Sequence, residues 1–237
     1  DCLNYGCVPS KSLIASAKRA QYMRTSTSFG IAAEDPKINF GRVNEHVHGV
    51  IADIAPHDSV ERFEGLGATV LQGEAKFVDP KTVKVGDQEV KARRFVIATG
   101  SRPMTPPIPA QAHRRLGSNV TVLEMQAPLA NDDPEFTEIA LKHIRREGVD
   151  IREGVKVTQV APKAKNIAVT IETKSGETEE IVWSHLLLAA GRKPNVEALD
   201  LEKGKIKFDG RGVKVNKGLK SSNKRVYAIG DVAGGLQ

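Results

Sequence analysis

Cysteine is almost missing from this chain: its 237 residues include two, Cys2 and Cys7. That excludes a disulfide-stapled scaffold, and a structural bridge between such close neighbours would close only a tiny loop. A zinc site wants about four ligands, and no histidine lies near the pair in sequence, so no metal site is expected. Aromatic residues are scarce at 5%, too few for a stacking platform on single-stranded nucleic acid. No stretch approaches the roughly 20 apolar residues of a membrane-spanning helix. Charge of one sign is not concentrated either. The net charge of +6 comes from 35 basic and 29 acidic residues spread along the chain, which describes a solvated surface rather than a nucleic-acid interface. What remains is an ordinary globular composition, 40% hydrophobic and 27% charged, long enough for one large core or two small ones.

Both ends read as cuts through a longer pattern. Asp1-Cys2-Leu3-Asn4 has neither an initiator Met nor a charged leader, and the strand-like Val226-Tyr227-Ala228-Ile229 stops without a following neighbour. With no targeting segment visible, the cytoplasm is the expected location.

The two cysteines stand directly before a helical pattern. Leu13, Ile14, Ala17 and Ala20 recur at helical spacing from Ser10 to Met23, with Lys and Arg on the other face. The pair therefore sits at a helix N-terminus, where the dipole and free N–H groups stabilise a thiolate, and Lys11 adds positive charge. Two unrelated buried thiols are the plain alternative. A stabilised thiolate beside a second thiol is a dithiol/disulfide redox centre.

The pattern further on predicts an α/β chain. Phe40 to Leu66 reads as helix divided at Pro56. Short strands follow at Ala68–Leu71, Glu74–Val78, Thr82–Val85 and Gln88–Lys91, the last two joined by a Gly86-Asp87 hairpin turn. Arg94–Ala98 is a fuller apolar strand ending at Thr99-Gly100, and a proline-rich connector comes next. Asn119–Glu124 reads as a buried parallel-type strand and Pro134–Glu147 as an amphipathic helix. Strands around Ile151 and Val157 precede a hairpin of Ile167–Thr173 with Thr178–Trp183. Ser184–Ala190 is then a second apolar strand, ending at Gly191. The two halves echo each other, which points to two related nucleotide-binding units. Gln111–Gly117 reads as the tail of a helix entered straight from prolines. A βαβ unit needs roughly 30 residues or more, so its first strand, Gly loop and early helix are expected to be missing between Ala110 and Gln111.

Four motifs in this order resemble the flavin-dependent pyridine nucleotide-disulfide oxidoreductases, the group of dihydrolipoamide dehydrogenase, glutathione reductase and mercuric reductase. They are Cys2-x4-Cys7 with Val8-Pro9-Ser10-Lys11, Ala98-Thr99-Gly100-Ser101-Arg102-Pro103, Ala190-Gly191-Arg192-Lys193-Pro194-Asn195 and Ala228-Ile229-Gly230-Asp231. The resemblance implies two Rossmann-like dinucleotide-binding domains, incomplete here, with β-hairpin inserts. They would be an FAD-binding part at 1–110, an NAD-binding part at 111–193 and a return to the FAD-binding domain at 194–237. It also implies a C-terminal dimerisation domain beyond this chain, hence a homodimer, and places the acid/base His–Glu pair there. FAD and NAD are the implied cofactors, and a small-molecule disulfide, dithiol or oxidant is the implied substrate, with no nucleic acid or membrane partner.

Residue by residue, the resemblance makes Cys7 the thiolate against the flavin and Cys2 the interchange thiol, with Lys11 near the reactive edge of the ring. Asp231 would bind the ribityl chain, Gly230 and Thr99-Gly100 would approach the same cofactor, and Ala75 would contact the adenine through its backbone. Glu124 would accept from the adenosine ribose 2′-hydroxyl and repel a 2′-phosphate, favouring NAD over NADP; Gly191 would lie on the nicotinamide side. Taken singly, Thr99-Gly100 is also a plain turn, Gly230-Asp231 a β-turn, Lys11 a solvated helix lysine and Glu124 an exposed strand-end acid. Dihydrolipoamide is the favoured substrate and mercuric ion the rival within the family. Outside it stand a redox-silent flavoprotein subunit and a thioredoxin-like thiol protein, whose pair is normally Cys-x-x-Cys.

Overall fold

The computed structural model describes residues 2–103, 110–130, 132–189 and 191–234. The proline-rich stretch 104–109 and the strand-end Ala190 lie outside the described residues. Helices α1 (Cys2–Tyr5) and α2 (Cys7–Arg24) come first, then α3 (Phe40–Ile54), a 3-10 turn at Ala55–Asp58 and α4 (Val60–Gly65). Strands β1 (Ala75–Asp79), β2 (Thr82–Val85), β3 (Gln88–Lys91), β4 (Phe95–Ile97) and β5 (Ser101–Pro103) follow. Next are α5 (Ala110–Arg115), β6 (Thr121–Glu124), α6 (Pro134–Arg146), β7 (Asp150–Glu153), β8 (Lys156–Lys163), β9 (Asn166–Glu172) and β10 (Thr178–Trp183). The last strands are β11 (Arg192–Pro194), β12 (Phe208–Asp209), β13 (Gly212–Val213) and β14 (Val226–Ala228).

The chain divides into two compact units, 1–56 with 107–187 and 57–106 with 188–237. In the first, α2 buries Ala17 and Ala20 as the helical spacing predicts, and Ala17, Leu13 and Ile14 pack against Ala112 and Leu116 around α5. Pro9 lies in the first turn of α2, where a missing N–H costs no helix bond. Strands β6 and β7 pair in parallel, and Leu123 of β6 packs with Val169, Ile171 and Trp183 of the antiparallel sheet β8–β9–β10. Arg115 holds Glu147, at the end of α6, in a two-pronged ion pair of 2.7 and 2.5 Å, with His143 Nε2 3.0 Å from the same carboxylate. His113 of α5 stacks on Phe40, ring centroids 6.0 Å apart.

Burial lowers the pKa of His113 below its ordinary 6.5. The unfolded chain therefore binds this proton more readily than the folded one, and stability intact above about pH 6.5 is lost as pH falls below it. The melting temperature should fall between pH 7.5 and 5, and His113→Gln should flatten that slope. An unchanged slope in the variant would refute the assignment.

In the second unit β4 and β14 pair in parallel, Phe95 with Val226 and Ile97 with Ala228. Phe77, Ile97, Leu201, Val213, Val226, Ala228 and Val232 form its core. The hairpin β12–β13 closes against the turn after β14 so tightly that a Cβ on Gly212, at φ +119°, would lie 2.3 Å from the Val232 carbonyl oxygen.

Three expectations change. Ala68–Leu71 and Ser184–Ala189 form no strand: both have strand composition, but among the described residues no neighbour offers them a ladder, and a strand exists only through its pairing. The proline connector instead opens with β5, which pairs antiparallel with β11, Ser101 opposite Pro194. Finally, α6 has the expected amphipathic pattern but buries none of its residues, with Phe136 and Ile139 71% and 62% exposed.

Candidate redox and dinucleotide site

The two cysteines are joined in a disulfide with Cα atoms 4.7 Å apart. Cys2 opens α1, Gly6 breaks the helical run, and Cys7 is the first residue of α2. The break lets two consecutive short turns fold back on each other far enough to bond their sulfurs. The first helical bond of α2 runs from Ser10 N–H to the Gly6 carbonyl, so the amide of Cys7 belongs to the first turn, which has no intrahelical acceptor. Both cysteines are exposed. Lys11, exposed as well, stands four residues beyond Cys7 and shares its helix face. Both cysteines thus present accessible surface, and a leaving thiolate at Cys7 gains from the helix dipole and a nearby cation.

The second unit brings Thr99, Gly100, Gly191, Gly230 and Asp231 to one region, at the carboxyl ends of the parallel strands β4 and β14 and beside β11. This is the edge at which open α/β sheets bind ligands. Arg192 Nε donates to Ser101 Oγ at 2.6 Å, and that hydroxyl donates to Asp231 Oδ2 at 2.6 Å. Arg192 Nη2 donates to the Ser101 carbonyl at 2.8 Å, and its Nε lies 3.5 Å from Asp231. The Thr99-Gly100 turn is clipped to Asn195: Thr99 Oγ1 donates to the Asn195 carbonyl at 2.9 Å, Asn195 Nδ2 to the Thr99 carbonyl at 2.8 Å, and Asn195 N to the Gly100 carbonyl at 2.9 Å. Ser101, Arg192 and Asn195 are therefore the positioning residues that sequence reasoning missed. Their signal was present, since all three lie inside quoted motifs, but nothing linear shows that residues 101 and 192 face each other.

Nearby, Glu197 accepts from Arg102 Nη2 at 2.6 Å and from Lys193. Hydrogen bonds from Lys193 and then Arg102 hold its pKa down at about 2. Ala75 starts β1, opposite Val85, and is half-buried.

These residues fit FAD. Gly100 at φ +65° and Gly230 at φ +70° have no atom within 4 Å of where a Cβ would sit, so their backbone is open to close approach. Asp231 is a partly exposed carboxylate, oriented through one oxygen, and a carboxylate has about four acceptor positions. A pyridine dinucleotide does not fit in the same way. Glu124 does end β6, but its Oε1 accepts from Gln126 N at 3.0 Å, and β6 pairs only with β7 among the described residues. Among the described residues no Gly-rich turn leads into this sheet.

The first unit thus carries a helix-borne disulfide and the second an acid-and-glycine strand edge. The chain belongs to the pyridine nucleotide-disulphide oxidoreductase family, which it matches over residues 1–113 and again over 109–237. It is 28% identical to a mercuric reductase of Staphylococcus aureus, over 100% of this chain and 50% of that protein. It is 31% identical to a dihydrolipoyl dehydrogenase of Thermus scotoductus, over 98% of this chain and 58% of that one. The fold resembles the HOCl-induced flavoprotein disulfide reductase RclA of Escherichia coli, with a TM-score of 0.80 at 22% identity, over 100% of this chain and 58% of that one. The chain thus spans half to about three-fifths of the length of these proteins.

Proposed function

We propose that this chain is the thiol-bearing part of an FAD-dependent disulfide oxidoreductase of dihydrolipoamide dehydrogenase type. The Cys2–Cys7 pair carries two electrons between the flavin and a small-molecule dithiol or disulfide. The observation that supports it most is the exposed disulfide formed across the start of α2. A substrate thiolate attacks Cys2 Sγ, the S–S bond breaks, and its electron pair stays on Cys7 as a thiolate favoured by the helix N-terminus. The second substrate thiol attacks the sulfur bound to Cys2, closing the substrate disulfide and freeing the Cys2 thiol. Lys11 keeps positive charge on the Cys7 face throughout.

FAD, when bound, takes the two electrons from the dithiol or returns them. Asp231 would hold its ribityl chain, Gly100 and Gly230 would admit it to the backbone, the Asn195 clip would fix Thr99, and Ala75 would meet the adenine through main-chain groups. Of the contacts to a pyridine nucleotide, this reading assigns to the chain only the choice made at Glu124, which favours NAD, and the glycine at 191. Homodimer assembly and a cytoplasmic location belong to the same proposal. Alignment with a mercuric reductase over the whole chain favours a second reading, with mercuric ion as the acceptor at the same thiols.

Anaerobic titration of the full-length FAD-loaded protein with dihydrolipoamide, followed in the visible, tests the proposal. A long-wavelength charge-transfer band after two electrons is expected. Bleaching without that band would mean the thiols are uncoupled from the flavin and would overturn it. Mercuric ion consumed catalytically by the reduced protein would select the second reading.

A further inference from the structure

We infer that this chain has lost the pyrophosphate cradle of its pyridine-nucleotide site, so that its disulfide is opened by dithiols without NADH or NADPH. The inference rests on the proposed function and concerns the source of its electrons. Three independent observations carry it.

The first is chain length. Between Pro103, the end of β5, and Thr121, the start of β6, the chain has only residues 104–120. A strand, a Gly-rich turn and a helix leading into a second parallel strand need roughly 30 residues or more. Residues 104–109 contain three prolines and no glycine, and Gly117 is the lone glycine up to 120. Elsewhere, Gly65-Leu66-Gly67 and Gly210-Arg211-Gly212 are each followed three residues on by valine, so no G-x-G-x-x-G occurs in the 237 residues. A pyrophosphate is ordinarily held where such a turn lets backbone N–H groups and a helix N-terminus converge.

The second is the use made of the helix upstream of β6. α5 is six residues long and is committed to α2, with Ala112 and Leu116 buried against the Ala17 side. Arg24 Nη1 of α2 donates to the Arg115 carbonyl at 2.6 Å, and the fork of Arg115 on Glu147 ties the same end of α5 to the end of α6. α5 cannot also lie across the carboxyl edge of β6 with its first turn toward a phosphate.

The third is an uncovered surface. β6 has one partner among the described residues, and the apolar side of α6 is bare at Phe136 and Ile139. A first strand and helix would supply the neighbour to the one and the layer over the other. The match to the family in two pieces that meet at 109–113, and alignments of 273 positions against 237 residues, put the shortfall of at least 36 positions within the chain.

Glu124 would then be a selector of ribose with nothing to hold the nucleotide it selects. The redox balance is closed by the exchange itself: one dithiol becomes one disulfide as the Cys2–Cys7 bond becomes two thiols.

The full-length protein with its bound flavin decides the matter. NADH and NADPH are titrated to about 1 mM, a free energy of only about −4 kcal/mol, with nicotinamide fluorescence as the binding readout. Free thiols are counted after incubation with either nucleotide or with dihydrolipoamide. We expect no saturable fluorescence change and no new thiols with the nucleotides, and two new thiols with dihydrolipoamide. Saturable NADH or NADPH binding, or thiols released by either, overturns the inference and leaves the proposed function standing. No thiols with dihydrolipoamide overturns the exchange itself and the proposed function with it.

Discussion

Replacing Cys7 by Ser should lower disulfide-reductase turnover at least about a thousandfold, and Cys2→Ser should do the same. The physical reason is shared, but the spectra should differ. A serine hydroxyl cannot form the disulfide, so neither variant can store two electrons between the thiols. Cys2→Ser leaves Cys7 as a lone thiol at the first position of α2, where helix dipole and Lys11 still favour its thiolate. A flavin charge-transfer band should therefore persist without added reductant. Cys7→Ser removes the donor, and no band should form at any stage of reduction.

Folding is not expected to confuse either result. The bridge closes a loop of five-residue separation, worth only about 2 kcal/mol in the chain-entropy view. Flavin content should be kept, since Asp231 and its Ser101–Arg192 support involve neither cysteine. A Cys7→Ser protein that kept both the band and the turnover would sink the thiol relay.

The second large effect is on stability. Leu201→Ala should destabilise the second unit by 2–5 kcal/mol, seen as a lower urea midpoint. Leu201 is 0% exposed, and its core partners include Ile97 and Ala228, the last residues of β4 and β14. Those strand ends lead directly into Thr99-Gly100 and Gly230-Asp231. A cavity beneath them should loosen the proposed flavin edge, so bound FAD should be released at a lower urea concentration than in the parent. Val96→Ala is the control, because Val96 sits on β4 at 60% exposure and should change stability within about 0.5 kcal/mol. Equal losses from both variants would mean that the core does not lie where Leu201 places it.

The elements legible in the sequence were those whose signal is local. The helix after the cysteines, the helical stretch from Phe40 divided near Pro56, the 82–91 hairpin and the 134–146 helix all formed within about three residues of expectation. Each carries its own periodicity, cap or turn chemistry. Ala68–Leu71 and Ser184–Ala189 failed because strand composition states a preference, and pairing requires a neighbour that lies elsewhere in the chain. The short β5–β11 pair was hidden for the converse reason: two proline-containing tripeptides, Ser101–Pro103 and Arg192–Pro194, look like loop until they are seen side by side.

The candidate site divides along the same line. The spacing of Cys2 and Cys7 before a helical pattern already singled out the two cysteines that the structure joins in a disulfide, because that pairing depends on residues within one turn. The short run from Pro103 to Thr121 likewise determined that no full βαβ unit fits there, since chain length bounds reach whatever the fold. Only the tertiary structure decided that Asp231 is oriented through Ser101 by Arg192, that Asn195 clips the Thr99-Gly100 turn, and that α5 packs on α2. Those contacts join residues about 90 to 130 positions apart, and no local preference encodes a partner at that distance. It is burial of shared apolar surface that brings them together.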